Sequence, residues 1–524
     1  MRAPSFASAS KGTALLVFGL TACVTFRKVE VRPLNPRATA VVRSPVRAHL
    51  ADGSTIVFPS GVSVQAGTVA GQGTRYPAGS SFGTPASAIL LDSVVGMEVF
   101  ETDTLVGKTI LASTAATALT VVASAGLAVA IFGSCPTIYS DSAGVPTLEA
   151  EGFSYSIAPL FEQRDVHRLR AVPTSDGILT LQVRNEALET HYINNLELLE
   201  VRHAVDEYVV PDNGQRPLTL RALRAPLKAI DRAGRDISRH IAVTDGDLFE
   251  TDSMTLAKAG AGDLDDYIDL EIPNPQRADT VALLFRMRNS LLNTVLLYDQ
   301  ILGAPGAQSL DWVGHDIKRI APAVEMGRWY SNHLGMRVAV LDDGKYKTVG
   351  RIGDSGPIAF HEVGILVPVP NNGDRATLHV RLSFVADQWR IDQIQVASQY
   401  RRPVARTVPV TEVLTRDPSQ NTSALRDLRA ADANYVVASP TQSFEIRFAV
   451  GKGGGAGRGD GATRTFLLAS QGYYIEWVRG SWIKSASGKT FRTTEEPIVA
   501  ALDRWRKERP ALERDFYSTR LATR

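Results

Sequence analysis

At 524 residues the chain is long enough for roughly two to four domains with sizeable cores. Its 57 Lys and Arg against 55 Asp and Glu leave a formal charge of +2, so no global electrostatic case exists for binding nucleic acid or anionic lipid. Hydrophobic residues at 44% and charged residues at 21% argue against a disordered chain or a many-span transporter.

The first apolar run, Ala14 to Leu20, follows Arg2 and Lys11 and leads into Thr21-Ala22-Cys23. A basic region, a short apolar core and small residues predict a secretory signal over residues 1–22, too short for a stable span. Leu20-Thr21-Ala22-Cys23 resembles the lipobox of bacterial lipoproteins. That resemblance implies cleavage before Cys23, lipid on Cys23 and a tether over residues 23–35. Val24 stands where, in that class, an Asp would favour retention in the inner membrane, so the outer membrane is the expected destination. Only two cysteines exist, and lipidation of Cys23 leaves Cys135 without an intramolecular partner; a Cys23–Cys135 bridge is the competing reading.

Residues 36–103 predict a small β domain, with β-prone runs at Thr39–Val42, Val46–Leu50, Ser54–Phe58 and Ser93–Phe100 and a hairpin turn at Asp52-Gly53. Its pattern resembles a small barrel of the SH3 type. Residues 104–133 follow as one apolar helix, since Thr109 to Gly133 carries no charge and reaches the roughly 20 residues that a membrane helix needs. Ala, Thr, Ser and Gly dominate it, so a membrane-associated or bundled helix, a true span and a buried soluble helix all stay open. A lipid on Cys23 together with a span at 109–133 would place the two ends of the chain on opposite sides of one membrane.

Beyond Cys135 the spacing turns to alternation: Ile178–Arg184, Glu197–His203, Ala282–Arg288, Met336–Leu341, Tyr346–Arg351, Glu362–Val369, Ala376–Phe384, Trp389–Val396, Ser443–Val450 and Arg464–Ser470. Turn signals such as Asp343-Gly344 and Asn372-Gly373 separate them, which predicts antiparallel sandwiches, divided as a β-rich domain over 134–320 and a β-sandwich-like domain over 321–470. A helical segment over 471–524 ends the chain, with Pro497 early and an interruption near Pro510. The fold class expected is therefore mainly β: a small barrel-like domain, an apolar helix, antiparallel sandwich-like domains and a helical C-terminus.

Ser134-Cys135-Pro136-Thr137-Ile138-Tyr139 after an apolar run, Arg184-Asn185-Glu186 with Glu189-Thr190-His191-Tyr192, and Gly472-Tyr473-Tyr474-Ile475-Glu476-Trp477 together resemble a family of uncharacterised bacterial envelope lipoproteins. The likeness runs from about residue 100 to the closing Phe516-Tyr517-Ser518-Thr519-Arg520. It implies location and shared architecture and carries no chemistry.

Enzyme signatures are missing: there is no Gly-x-Ser-x-Gly, no His-Glu-x-x-His, no Walker lysine loop and no Cys-x-x-Cys. The nine histidines show no pair at ligand spacing, and His361-Glu362 reads as a surface pair. The glycine-rich stretch Gly451 to Gly461 reads as a hairpin loop, because no helix follows to hold an anion; its Arg458-Gly459-Asp460 is too short to signify adhesion. Two acidic runs remain. Asp263, Asp265, Asp266 and Asp269 surround Tyr267, with Asp245, Asp247, Glu250 and Asp252 upstream, and hard oxygen ligands so spaced could take calcium, although they lack the EF-hand pattern and solvated loops are the plainer reading. Tyr473, Tyr474, Trp477 and Trp482, with Trp329-Tyr330 and Trp389, could stack on a sugar, against a plainer reading as core and interdomain packing.

Two functions follow as expectations. One is a lipid-anchored envelope protein, without cofactor, that binds or scaffolds an envelope protein or polysaccharide and touches the membrane through its lipid and residues 109–133. The other is a carboxylate-dependent hydrolase of cell-wall or extracellular carbohydrate, whose acids would have to converge in one aromatic-lined cleft.

Overall fold

A computed structural model describes residues 28–33, 40–103, 135–304, 320–452, 462–476 and 492–518, short breaks aside. The signal sequence, Cys23, the segment 109–133, most of the glycine-rich loop, Asn372-Gly373, Trp477 and Trp482 lie outside the described residues. No helix among the described residues is long and apolar enough to cross a membrane. The fold is mainly β, in several antiparallel, sandwich-like sheets.

Eight strands form the N-terminal module: β1 (Lys28–Pro33), β2 (Ala40–Val42), β3 (Val46–Leu50), β4 (Thr55–Phe58), β5 (Val62–Gln65), β6 (Thr68–Tyr76), β7 (Thr84–Leu90) and β8 (Val94–Asp103). They pair in the order β1-β8-β3-β4-β6-β5-β2, with β7 on β6, around Val46, Ala48, Ile56, Phe58, Val64 and Val69. Among the described residues no pairing joins β2 to β1, so hydrogen bonds do not close this sheet into a ring.

The rest of the chain is nested. Its outer layer begins with β9 (Thr137–Ser142), β10 (Val145–Glu151), β11 (Gln163–Arg168), β12 (Ile178–Arg184) and β13 (Glu189–Ala204). β14 (Glu207–Pro211) and β15 (Pro217–Arg221) come next, and then the inner strands β16 (Lys228–Asp231), β17 (Asp265–Pro273), β18 (Thr280–Asn289), β19 (Met336–Asp342), β20 (Lys345–Ile352), β21 (His361–Pro368), β22 (Thr377–Val385) and β23 (Trp389–Ala397). β24 (Gln399–Arg401) returns to β15, and β25 (Arg406–Pro409), β26 (Glu412–Leu414), β27 (Val436–Ala438), β28 (Ser443–Ala449) and β29 (Ala462–Glu476) rejoin the outer layer. The outer sheets are β10-β9-β12-β28-β26 and β11-β29-β13-β25; the inner ones are β16-β17-β22-β19-β20 and β21-β18-β23.

This nesting corrects the expected domain division. β12 pairs with β28 and β13 runs along β29 from Glu189 to Ala204, so residues on both sides of position 320 share both outer sheets. β29 also crosses the expected boundary at 470 and extends to Glu476. The sandwich that does form from near neighbours is built of the strands β16 to β23 between residues 228 and 397, closed by Ile268, Leu270, Phe285, Val338, Val380 and Ile391, while residues 291–302 and 326–334 between those strands join the outer core.

Local chemistry explains the elements. Burial in β12 and β17 alternates residue by residue, as a half-buried strand requires. Asp343 and Gly344, both at positive φ, make the tight turn between β19 and β20. Asp252 caps helix α1 (Ser253–Ala259), its carboxylate accepting the N–H groups of Met254 and Thr255. Helix α2 (Leu292–Val295) runs into a π-helical turn at Leu296–Leu302, and with α3 (Ile320–His333) it adds Leu292, Val295, Met326 and Trp329 to the outer core. After α4 (Asn421–Asp427), helix α5 (Glu496–Ser518) runs unbroken through Pro510, contrary to the interruption expected there. Ile498, Leu502, Trp505, Leu512 and Phe516 bury one face of α5 on both sides of the proline, and this packing outweighs the one backbone hydrogen bond lost.

Candidate functional site

β11 is the edge strand of one outer sheet and β21 the edge strand of one inner sheet, and the two lie side by side. Strand geometry puts Asp165 and His167 on one face of β11, while Val166 between them packs on Leu199, Val209 and Leu467. The first residue of β21, His361, completes a cluster. His167 Nε2 lies 3.1 Å from Asp165 Oδ2, and His167 Nδ1 lies 3.1 Å from His361 Nδ1. The two imidazoles meet edge to face with ring centroids 4.5 Å apart. Both are buried, and Asp165 is partly so.

The geometry dictates the protonation. Nε2–H of His167 donates to Asp165, and the two facing Nδ1 atoms share a single proton, because two protonated nitrogens would repel across 3.1 Å. Burial opposes the His167 cation, but the Asp165 carboxylate outweighs it and raises the imidazole above its usual value. Burial likewise opposes the Asp165 anion, and His167 outweighs it, holding that carboxyl below the ordinary range. His361 has no anion in direct contact; burial, reinforced by His167, pushes it down to about 3.

His167 lies in the wall of a cleft of about 460 Å³. Glu149 and Glu362 face into it, and so do Arg168, Arg170 and Arg286. Two aromatic rings carry guanidinium groups there, Arg168 at 4.3 Å over Tyr208 and Arg286 at 4.4 Å over Phe360. The Tyr208 hydroxyl donates to Glu362 at 2.8 Å, while Glu149 accepts from the Ser140 hydroxyl at 2.6 Å and the Arg170 backbone N–H at 2.7 Å. Glu151 accepts the N–H groups of Ile358 and Ala359 at 2.8 and 3.2 Å, fixing the segment that leads into β21. Gly356 at the start of that segment has no room for a side chain: a Cβ there would lie 2.3 Å from the Glu151 carboxyl carbon.

The acidic residues singled out from sequence are not brought together. Three sit in β17, where Asp265 and Asp269 share the outer face and Asp266 points inward. Asp263 pairs with Arg232 at 2.6 Å, Asp265 with Arg337 at 3.2 Å, and Asp269 with Arg381 through two bonds of 2.7 Å. Asp266 accepts the Thr251 hydroxyl at 2.6 Å, and burial pushes it up to about 6. Asp265, Asp266 and Asp269 are strand residues holding cations and a hydroxyl, Asp263 sits in the exposed loop just before β17, and the four do not form an ion cage. Upstream, Asp247 pairs with His240 at 2.8 Å, Glu250 with Arg509 at 2.7 Å, and Asp245 accepts the Asp247 N–H.

Nor do the tyrosines offer a stacking platform. Tyr473 is buried and stacks on Tyr192 with centroids 4.6 Å apart, and the buried Tyr474 donates to the Ser154 carbonyl at 2.9 Å. Trp329, whose Nε1–H donates to the Thr494 carbonyl, and Trp389 are core residues as well. Cys135 is a buried free thiol, raised well above its ordinary pKa chiefly by burial.

Sequence reading passed over the Asp-His-His cluster. Asp165-Val166-His167 in a strand is a legible signal, since residues two apart share a face, but His361 is 194 positions from His167, and beside Glu362 its pattern is that of a surface residue although the fold buries it. No family model and no curated protein matches the chain. A search of solved structures finds the secreted serine protease VesC from Vibrio cholerae, at 8% identity and a TM-score of 0.14 over 71% of this chain and 98% of that one. So low a score carries no argument about fold or activity.

Proposed function

We propose that this protein is an envelope lipoprotein, anchored through lipid on Cys23, whose β body has a non-catalytic binding role toward an envelope polysaccharide. The observation that carries the reading is the cleft between β11 and β21, where Tyr208 and Phe360 sit among Arg168, Arg170, Arg286, Glu149 and Glu362. A polar wall that includes two aromatic rings suits a hydroxyl-rich chain, and about 460 Å³ is the scale of a small-ligand site rather than of a flat protein interface.

Tyr208→Ala and Phe360→Ala should each weaken retention of the full chain on isolated cell-wall or capsular glycan at least tenfold, measured by co-sedimentation. Unchanged retention would remove the cleft from the proposal. Glu149 and Glu362 facing one cleft favour a second reading, a carboxylate-dependent hydrolase of the same glycan. Release of new reducing ends, abolished in Glu362→Gln, would establish it in place of the binding role. The anchor is tested separately: Cys23→Ser should release the protein from membranes, and a mature N-terminal peptide lacking lipid would end that part of the reading.

A further inference from the structure

We infer that Asp165, His167 and His361 bind one divalent transition-metal ion, with Zn²⁺ the best chemical match, reached from the cleft that His167 lines. Among the described residues this is the group of three such side chains whose donor atoms all fall within 4.8 Å of one another. Two imidazoles and a carboxylate form a borderline donor set that suits Zn²⁺ and its neighbours and is too nitrogen-rich for Ca²⁺ or Mg²⁺.

The spacing fits as well. With Zn–N bonds of about 2.0–2.1 Å, two ligand nitrogens of a tetrahedral site stand about 3.3–3.4 Å apart. The two Nδ1 atoms, at 3.1 Å, are a few tenths of an ångström short of that separation, and a turn of the rings would bring both lone pairs onto one ion. The ion replaces the proton they share and takes both lone pairs. Asp165 Oδ2 lies 3.1 Å from the other nitrogen of His167, and a carboxylate oxygen of Asp165 falls within 4.8 Å of the imidazole donor atoms, so on release of that hydrogen bond the carboxylate would supply the third ligand. Because His167 also lines the cleft, water or a ligand group would reach a fourth coordination position from there.

Pre-organisation is the second ground. His167 is fixed by strand pairing of β11 with β29, and His361 by pairing of β21 with β18 at Met287, so both rings are presented by rigid elements. This inference does not depend on the glycan reading; a cleft that bound glycan without metal would leave that reading standing.

The test is calorimetric titration of Zn²⁺ into the full chain after chelator treatment and dialysis. One equivalent should bind, with affinity reduced at least 100-fold in His167→Ala and in His361→Ala and 10- to 100-fold in Asp165→Asn. His240→Ala, which removes an exposed histidine beside Asp247, should bind like the parent. Absence of a stoichiometric equivalent in the parent, or its retention in His361→Ala, overturns the inference. If the alanine variants do not fold, the parent loaded with Co²⁺ decides: visible bands of a tetrahedral nitrogen-ligated ion support the site, and a spectrum of hydrated Co²⁺ overturns it.

Discussion

The inner sandwich, built from the strands between residues 228 and 397, and the outer layer, built from 135–204 and 406–476, use the same antiparallel strands in different ways. In the inner sandwich the facing residues are almost wholly aliphatic and aromatic, from Ile268 and Leu270 to Phe285, Val380 and Ile391. Its buried ionisable groups, Asp231, Asp266, Asp387, Arg390 and Asp392, lie outside that apolar cluster. The outer layer, by contrast, sets His191 with Glu189 at 2.7 Å within its longest strand and contributes Asp165 and His167 to the Asp-His-His cluster where it abuts β21. Neighbouring strands that close on each other build an apolar cluster largely from alternation. Strands joined only by the return of a distant chain meet at edges and seams, and there polar side chains find partners from another layer.

The largest expected effect breaks the join between the two regions. Asp387, in the turn after β22, contacts Arg390 at 2.8 Å and accepts Trp505 Nε1–H from α5 at 2.6 Å, tying the inner sandwich to the C-terminal helix. Asp387→Asn keeps a side chain that tolerates the local φ of 59° but leaves the buried Arg390 guanidinium without its nearest anion. A loss of about 3–5 kcal/mol in urea unfolding is expected, with α5 separating from the sandwich. A loss below about 1 kcal/mol would mean that apolar packing alone joins the two.

A smaller effect sharpens the contrast within one strand. Asp266 faces the interior and, pushed up to about 6 by burial, binds its proton more tightly folded than unfolded. Across the window from about pH 4 to 6 the folded state therefore holds the extra proton, and the parent loses stability as pH rises. Asp266→Asn lacks that term, so its stability relative to the parent should improve by about 2 kcal/mol between pH 4 and pH 7. A pH-independent difference would show that Asp266 is ionised throughout. The smallest effect is expected three residues on: Asp269→Ala removes a pair that is about one-third exposed, and its loss should be about 1 kcal/mol or less and shrink further in salt, read by thermal unfolding.

Strand type and face were legible from sequence wherever one face is dry and the other wet. Ile178–Arg184 and Asp265–Pro273 alternate in burial as their residues alternate in polarity. The tyrosines at 473 and 474 were harder, because β29 is covered on both faces and neither residue reaches solvent. Pro510 misled for another reason: a local rule about one missing hydrogen bond was outweighed by five apolar side chains pressing the helix onto the core. The acidic run around Tyr267 was visible as a run, but whether its carboxylates converge depends on which arginines β22 and β19 set beside them.

What the sequence determined by itself is the period of each strand, the turns with left-handed residues, the cap at Asp252 and the spacing that sets Asp165 and His167 on one face, because all of these follow from the geometry of a few consecutive peptide units. Only the tertiary structure decided that β12 would pair with β28 and β13 with β29, that the strands between residues 228 and 397 would close on one another, and that His361 would meet His167. Those outcomes turn on which distant edges bury the most surface against one another, a property of the whole chain that no window of neighbouring residues contains.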